Sequence, residues 1–265
     1  MINKFMDTNQ IIKKFVNKNF FKNKTILITG ANGALGIKLT EVFMELGSKL
    51  ILIDKKIKNI KNKNIQTLSL DFTNIKNLEK TLIKKKIKFR ELDFIINNAA
   101  YTGSNINWIK PLNMQTYKDW RNAHKVNLDS IFIISKVLSK ILIKNRGKIL
   151  NIGSIFSDSV PNFLNYKDTK MNSPAAYSIS KNTLLHLTKW QASFFSPFVN
   201  VNMVSPGGIF RNQNKKFVKR YINSTPLQRM CHEEDVIYVI LFLLSDLSDY
   251  ITGQNIIVDG GYSIL

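Results

Sequence analysis

Tyr177 and Lys181 stand four residues apart in Tyr177-Ser178-Ile179-Ser180-Lys181, and Ser154 lies upstream in Asn151-Ile152-Gly153-Ser154. On a helix, positions i and i+4 project from one face, so a phenol and an ammonium at this spacing reach one site. A phenol ordinarily ionises at about pH 10, and a nearby cation favours the phenolate and brings it closer to useful acid–base work. A serine hydroxyl beside that phenol can hold a substrate oxygen. Three such groups suit the movement of a proton to or from an alcohol or a carbonyl.

The redox partner of that proton transfer is suggested near the start of the chain, in Thr29-Gly30-Ala31-Asn32-Gly33-Ala34-Leu35-Gly36. An apolar run precedes Gly30, Gly33 and Gly36, and a helical pattern follows. That is the context of a dinucleotide-binding turn, in which bare backbone approaches a pyrophosphate at a helix N-terminus. The expected cofactor is a nicotinamide dinucleotide, which moves the hydride. Asp54 lies eighteen residues beyond Gly36, at the end of the second apolar run. A carboxylate there accepts from ribose hydroxyls and repels a 2′-phosphate, which favours NAD. Lys55 and Lys56 follow directly and keep NADP open. Asp71 is a candidate partner for the adenine, or a cap for the helix after it.

Strands are expected at 25–28, 49–53, 65–70, 92–96, 148–152, 199–204 and 255–258. Helices are expected at 37–46, 75–86, 176–195 and 233–244, with one long helix over 120–143. Short, nearly continuous apolar strands alternating with helices imply an α/β chain. The architecture expected is a single-domain Rossmann fold, a doubly wound seven-stranded parallel sheet with helices on both faces. No linker-like stretch divides the 265 residues. Residues 1–22 read as an N-terminal extension and 23–265 as the Rossmann-type domain.

The formal charge is +21. It is spread along the chain, with no helix-turn-helix, zinc ligand set or RNA-binding aromatic motif beside it, so surface charge is expected rather than nucleic-acid binding. One cysteine, Cys231, excludes an intrachain disulfide and fits a reducing, cytoplasmic setting. The run 236–244 is too short to span a bilayer, no secretory leader is visible, and no membrane association is expected. No metal-ligand set is apparent.

These motifs resemble the short-chain dehydrogenase/reductase family. The resemblance extends from about Lys24 to Tyr262 and rests on the glycine turn, Asn97-Asn98-Ala99-Ala100, Asn127, Ser154, Tyr177, Lys181, Pro206-Gly207, Ile251-Thr252-Gly253-Gln254 and Asp259-Gly260-Gly261. It implies that Tyr177 is the general acid/base, that Lys181 lowers its pKa and holds the nicotinamide ribose, and that Ser154 orients the substrate oxygen. Asn127 would bend its helix and support a water relay to Lys181. Gly30, Asn32, Gly33, Ala34, Leu35, Gly36, Asp54, Asp71, Phe72, Asn98, Ala99, Ala100, Tyr177 and Lys181 would bind the cofactor, and Pro206, Gly207, Gly208 and Ile209 would pass its nicotinamide. Family members pair subunits through apolar helices, so a homo-oligomer, dimer or tetramer, is expected.

The chain departs from the family pattern in places. Ala34 fills a position where a glycine is usual, with Gly33 before it, and Ala100 ends a segment that usually ends in glycine. Phe210 and Arg211 occupy the region of a usual threonine. Ser154 and Tyr177 are 23 residues apart, more than is common, so an insert over 163–171 faces the substrate. Arg211, Asn212 and Gln213 are expected near the nicotinamide end, with Tyr101, Trp108 and Lys110 after the fourth strand. Aromatic rings among Arg, Asn and Gln suit a polyhydroxylated or anionic small molecule. The pattern is most similar to bacterial reductases associated with surface-polysaccharide and flagellin-glycan sugars. A fatty-acyl or other hydrophobic ketoreductase is the alternative, and a non-catalytic cofactor-sensing or nucleic-acid-binding protein is the alternative of another class.

Overall fold

The structure is a computed structural model that describes residues 20–57, 60–85, 89–102 and 111–265. Trp108 and Lys110, and most of the expected N-terminal extension, lie outside the described residues. Strands β1 (Thr25–Thr29), β2 (Lys49–Asp54), β3 (Ile65–Ser69), β4 (Leu92–Asn97), β5 (Lys148–Ile152), β6 (Asn200–Pro206) and β7 (Asn255–Val258) form one sheet in the order β3-β2-β1-β4-β5-β6-β7. Every pairing is parallel. Helices α1 (Ala34–Glu45), α2 (Ile75–Lys84), α3 (Tyr117–His124), α4 (Ser130–Asn145), α5 (Ala175–Phe195), α6 (Lys215–Asn223) and α7 (Glu233–Leu244) complete the elements that position the site.

Alternate strand residues face opposite layers, which explains the unbroken apolar runs. Ile26, Ile28, Leu50 and Leu52 pack with Leu39 and Phe43 of α1 and with Val236 and Ile240 of α7. Leu27, Ile51, Ile53 and Ile95 pack on the other face with Leu78, Leu82, Ile134 and Leu138 of α2 and α4. Phe21 is fully buried and meets Phe43 edge-on, so the chain is already anchored to the core before β1. The strand order reverses between β1 and β4. Both strands end at that crevice, where ligands bind in open α/β sheets.

One expectation is corrected and one element is added. The helix expected over 120–143 is not one regular helix. A π-helical segment, Lys125–Asp129, separates α3 from α4, and the Ser130 N–H donates to the Lys125 carbonyl five residues back. The segment carries Asn127 fully buried, where its side chain bonds sideways to other elements. One extra residue in a turn barely disturbs apolar periodicity, so the pattern does not reveal it. The second is α6, a helix over a stretch between the sixth strand and 233–244 to which the sequence pattern assigns no element. Asn214 caps it, accepting from the Lys216 N–H, and Phe217 and Tyr221 are its buried residues. Smaller differences of one or two residues occur at element ends, as in β6 and α2.

Candidate active site

The glycine turn leaves β1 and opens α1 on the crevice. Gly30 has φ +66, and a β-carbon on it would lie 2.7 Å from Ala99 Cα. A β-carbon on Gly36 would lie 2.2 Å from the Gly30 carbonyl oxygen, so α1 starts flush against the turn. Asn32, Gly33 and Ala34 are exposed. No side chain caps the α1 N-terminus, and no acidic residue lies in its first turn. A helix start of this kind offers its amides and dipole to an anion.

The flanks of this cradle are fixed by polar bonds. Thr29 Oγ1 accepts from the Asn98 and Ala99 amides, both at 3.0 Å. Asn98 Nδ2 donates to the Thr29 and Gly30 carbonyls, both at 3.0 Å, so both its amide hydrogens hold the turn. Asp54, at the end of β2, accepts from the Asn32 N–H at 3.0 Å and remains on the rim. Asn32 Nδ2 donates to the Lys56 carbonyl. Asp71 accepts from the Thr73 amide and hydroxyl at 2.9 and 2.7 Å and pairs with Lys55 Nζ at 2.9 Å. Partial burial works against its ionisation, but Lys55 and Thr73 together hold the carboxyl below its usual range. Its side chain therefore shapes the turn after β3, while Asn74 is the cap of α2.

Ser154, Tyr177 and Lys181 meet at the carboxyl edge of β5. Ser154 is held by reciprocal capping: its hydroxyl accepts from the Phe156 N–H, and its own N–H donates to Ser157 Oγ, both at 3.2 Å. The Tyr177 hydroxyl bonds the Ser154 side chain, and its ring meets Phe156 edge-on at 6.5 Å. Lys181 is buried one turn along α5. Its Nζ donates to the Ile152 carbonyl at 2.6 Å and lies 5.8 Å from the Tyr177 ring centroid. Burial pushes the Lys181 ammonium down to about 8. Burial pushes the Tyr177 phenol up, and the Ser154 bond only partly offsets this. In the free protein the Lys181 ammonium is engaged by the Ile152 carbonyl, and burial is the larger influence on the phenol.

Asn127 lies in the π-helical segment, where the resemblance implies a bend, and its side chain is bonded to neighbouring elements. Its Oδ1 accepts from the Tyr101 N–H at 2.7 Å, and its Nδ2 donates to the Tyr101 carbonyl and to Ser180 Oγ at 3.1 and 2.9 Å. Ser180 Oγ donates in turn to the Tyr177 carbonyl at 2.8 Å. The side chain of Asn127 therefore braces the helix that carries the phenol. Ser180, Ser157 and Phe156 were not singled out by the sequence reading. Ser180 had a signal, since it lies three residues after Tyr177 and shares its helix face.

On the substrate side, Arg211 pairs with Glu233 at 2.6 Å, and Gln213 Nε2 donates to the Ile209 carbonyl at 2.7 Å. Arg211 is thus tied to the start of α7, and Gln213 to its own loop. The Tyr101 hydroxyl donates to Asp119 at 2.7 Å. The insert forms a short 3-10 turn, Phe163–Tyr166, whose Tyr166 packs on Phe217 of α6 at 5.1 Å. Met171, Phe210 and Tyr262 join the same apolar cluster.

A parallel sheet in this order, an open glycine cradle at its switch point and a Tyr–Lys–Ser set on the same edge define a dinucleotide-dependent oxidoreductase. Residues 30–263 match the family model described as enoyl-(acyl carrier protein) reductase, and the chain belongs to the short-chain dehydrogenase/reductase family, whose members act on CH–OH groups. It is similar to the post-translational flagellin modification protein A of Campylobacter coli, with 28% identity over 92% of this chain and 99% of that one. It is 32% identical to a 3-oxoacyl-(acyl-carrier-protein) reductase FabG of Buchnera aphidicola, over 91% of this chain and 97% of the relative. Among solved structures, a short-chain dehydrogenase from Leptospira borgpetersenii with bound NAD+ superimposes with a TM-score of 0.83. It is 30% identical, with 99% of each chain covered.

Proposed function

We propose that the chain interconverts an alcohol and a carbonyl on a sugar or sugar-derived substrate, using NAD in preference to NADP. The observation that carries the reading is the Tyr177 hydroxyl bonded to Ser154 beside the buried Lys181, on the edge that also bears the uncapped α1. When bound, the nicotinamide cofactor supplies or accepts the hydride. Tyr177 moves the proton at the substrate oxygen, Ser154 orients that oxygen, and Lys181 reaches the ribose side. Gly30, Gly33 and Gly36 approach the pyrophosphate, with Asn32, Ala34 and Leu35 beside them. Asp54 reads the ribose, and Asp71, Phe72, Asn98, Ala99 and Ala100 line the adenosine side. Pro206, Gly207, Gly208 and Ile209 border the nicotinamide.

Two features favour NAD. Asp54 presents a carboxylate to the rim, where a 2′-phosphate would be repelled. Lys55, the nearer candidate to neutralise that phosphate, is paired with Asp71. Titration followed by nicotinamide fluorescence is expected to show tighter binding of NADH than of NADPH. The reverse order would move the ribose-reading role from Asp54 to Lys56. The sugar reading is supported by the flagellin-modifying relative. An acyl ketoreductase is the second reading, supported by the Buchnera relative and by the apolar underside of the insert. Oxidation of aldoses and polyols with NAD, set against reduction of an acetoacetyl thioester with NADH, separates the two.

Phe132 of α4 and Trp190 and Phe194 of α5 are exposed, and the last two stack at 5.0 Å. Large apolar side chains exposed together mark an interaction surface, which supports a dimer or tetramer of this chain. Light scattering is expected to give a multiple of the single-chain mass, and a single-chain mass would remove the assembly. Among the described residues no helix is long and apolar enough to cross a membrane. A reducing compartment such as the cytoplasm suits Cys231, whose thiol is pushed by burial up to about 12.

A further inference from the structure

We propose that Tyr262 is a positioning residue that ties the insert between Ser154 and Tyr177 to the backbone of Gly208. The role given to this tie rests on the reading above that Pro206, Gly207, Gly208 and Ile209 border the nicotinamide.

The connection can be followed bond by bond. Asn165 is only 3% exposed, and its Nδ2 donates to the Tyr262 hydroxyl at 2.7 Å. The Tyr262 ring stacks on Tyr221 of α6, with centroids 4.3 Å apart and planes 8° from parallel. The Tyr221 hydroxyl accepts from the Gly208 N–H at 2.7 Å. A β-carbon on Gly208 would lie 3.0 Å from Tyr221 Cζ, so ring and backbone meet with nothing between them. Tyr262 is itself held in place, because the Asp259 carboxylate accepts from the Gly261 and Ser263 amides at 2.9 and 2.8 Å.

Helix α6 is the shared support. Phe217 and Tyr221 are four residues apart and face the same way. Phe217 receives Tyr166 of the insert, and Tyr221 receives Tyr262. Arg220 adds a second attachment, donating to the Lys167 carbonyl and pairing with Asp168 at 3.4 Å. A buried amide that loses its partner is costly, so Asn165 favours the arrangement in which Tyr262 is seated. Substrate cover and nicotinamide border therefore hold one geometry through a residue that touches neither reacting group.

Hydrogen exchange by mass spectrometry on the full chain without cofactor tests this. Tyr262→Ala removes both links and is expected to speed exchange by about tenfold or more in 163–171 and in 206–210, with β1 and β5 unchanged. Tyr262→Phe keeps the stack and removes only the hydroxyl. It is expected to speed the insert and leave 206–210 at the wild-type rate. If Tyr262→Ala leaves either segment at the wild-type rate, the tie does not exist. If Tyr262→Ala does not fold, Tyr262→Phe decides: an insert that exchanges as in wild type overturns the proposal. A further readout adds NADH, which is expected to slow the insert in wild type and not in Tyr262→Phe. NADH that slows both proteins alike overturns the positioning role. NADH that fails to slow 30–36 in wild type overturns the cofactor reading instead, and the cofactor-free rates then stand as the test of the tie.

Discussion

Tyr177→Phe is expected to lower turnover by about 100- to 10,000-fold, the range of a lost general acid or base, with NADH affinity unchanged. Phenylalanine keeps the edge-on contact with Phe156 and loses only the hydroxyl that bonds Ser154. Burial holds the phenol above its ordinary value in the free protein, so it carries its proton at neutral pH. That is the form that donates to a carbonyl oxygen in the reductive direction. Oxidation needs the phenolate and is expected to strengthen as pH rises. Steady-state rates in both directions, with a fluorescence titration of each protein, check this. Turnover retained by the variant would place the proton transfer on another group.

Lys181→Met is expected to remove most turnover and to weaken NADH, since the proposed site places this ammonium beside the Tyr177 ring. It also has a signature in stability. Burial moves the ammonium from 10.5 to about 8. Between those values the unfolded chain holds a proton that the native chain has released. Native stability therefore rises with pH across that window, by about 1.4 kcal/mol per pH unit at the steepest. Below about 8 both states are protonated, and the cost of burying the charge is present in full. Above 10.5 neither is protonated, and the gain is complete. Cys231 and Tyr177 are raised by burial and act with the opposite sign above their ordinary values. Both are common to the two proteins and cancel in the difference. Denaturant unfolding at pH 7, 8, 9 and 10 is expected to show the variant losing its relative advantage as pH rises. A difference that does not change with pH would mean that the ammonium is solvated.

The sheet was readable because β1, β2, β4, β5 and β6 are buried on both faces and so appear as short apolar runs between helices. The residues that touch the site were readable because chemistry restricts them to few types at fixed spacing. What was hidden has a common cause in bonds between distant segments. The apolar pattern around Asn127 reads as one long helix, and the bonds to Tyr101 and Ser180 that accompany the π-helical segment run to segments distant in sequence. Asp71 and Lys55 each had a ligand-binding reading, yet they pair with one another. Helix α6 was obscured by its many lysines, because its apolar face is matched by residues of the insert and the C-terminal segment. The phenol was expected to feel a cation, but spacing along a helix carries no information about how deeply both groups are buried.

The bonds that seat Ser154, Lys181 and Asn127 run to Ser157, Ile152, Tyr101 and Ser180, and none of these lies in the insert. The bonds that seat these three residues are thus distinct from those that hold the insert, which run through Asn165, Tyr166, Lys167 and Asp168. On the proposed reading the stretch 163–171 is an exchangeable cassette: a foreign sequence of equal length that keeps Asn165 and Tyr166 is expected to redirect which alcohol is accepted while the bonds seating Ser154 and Lys181 stay in place.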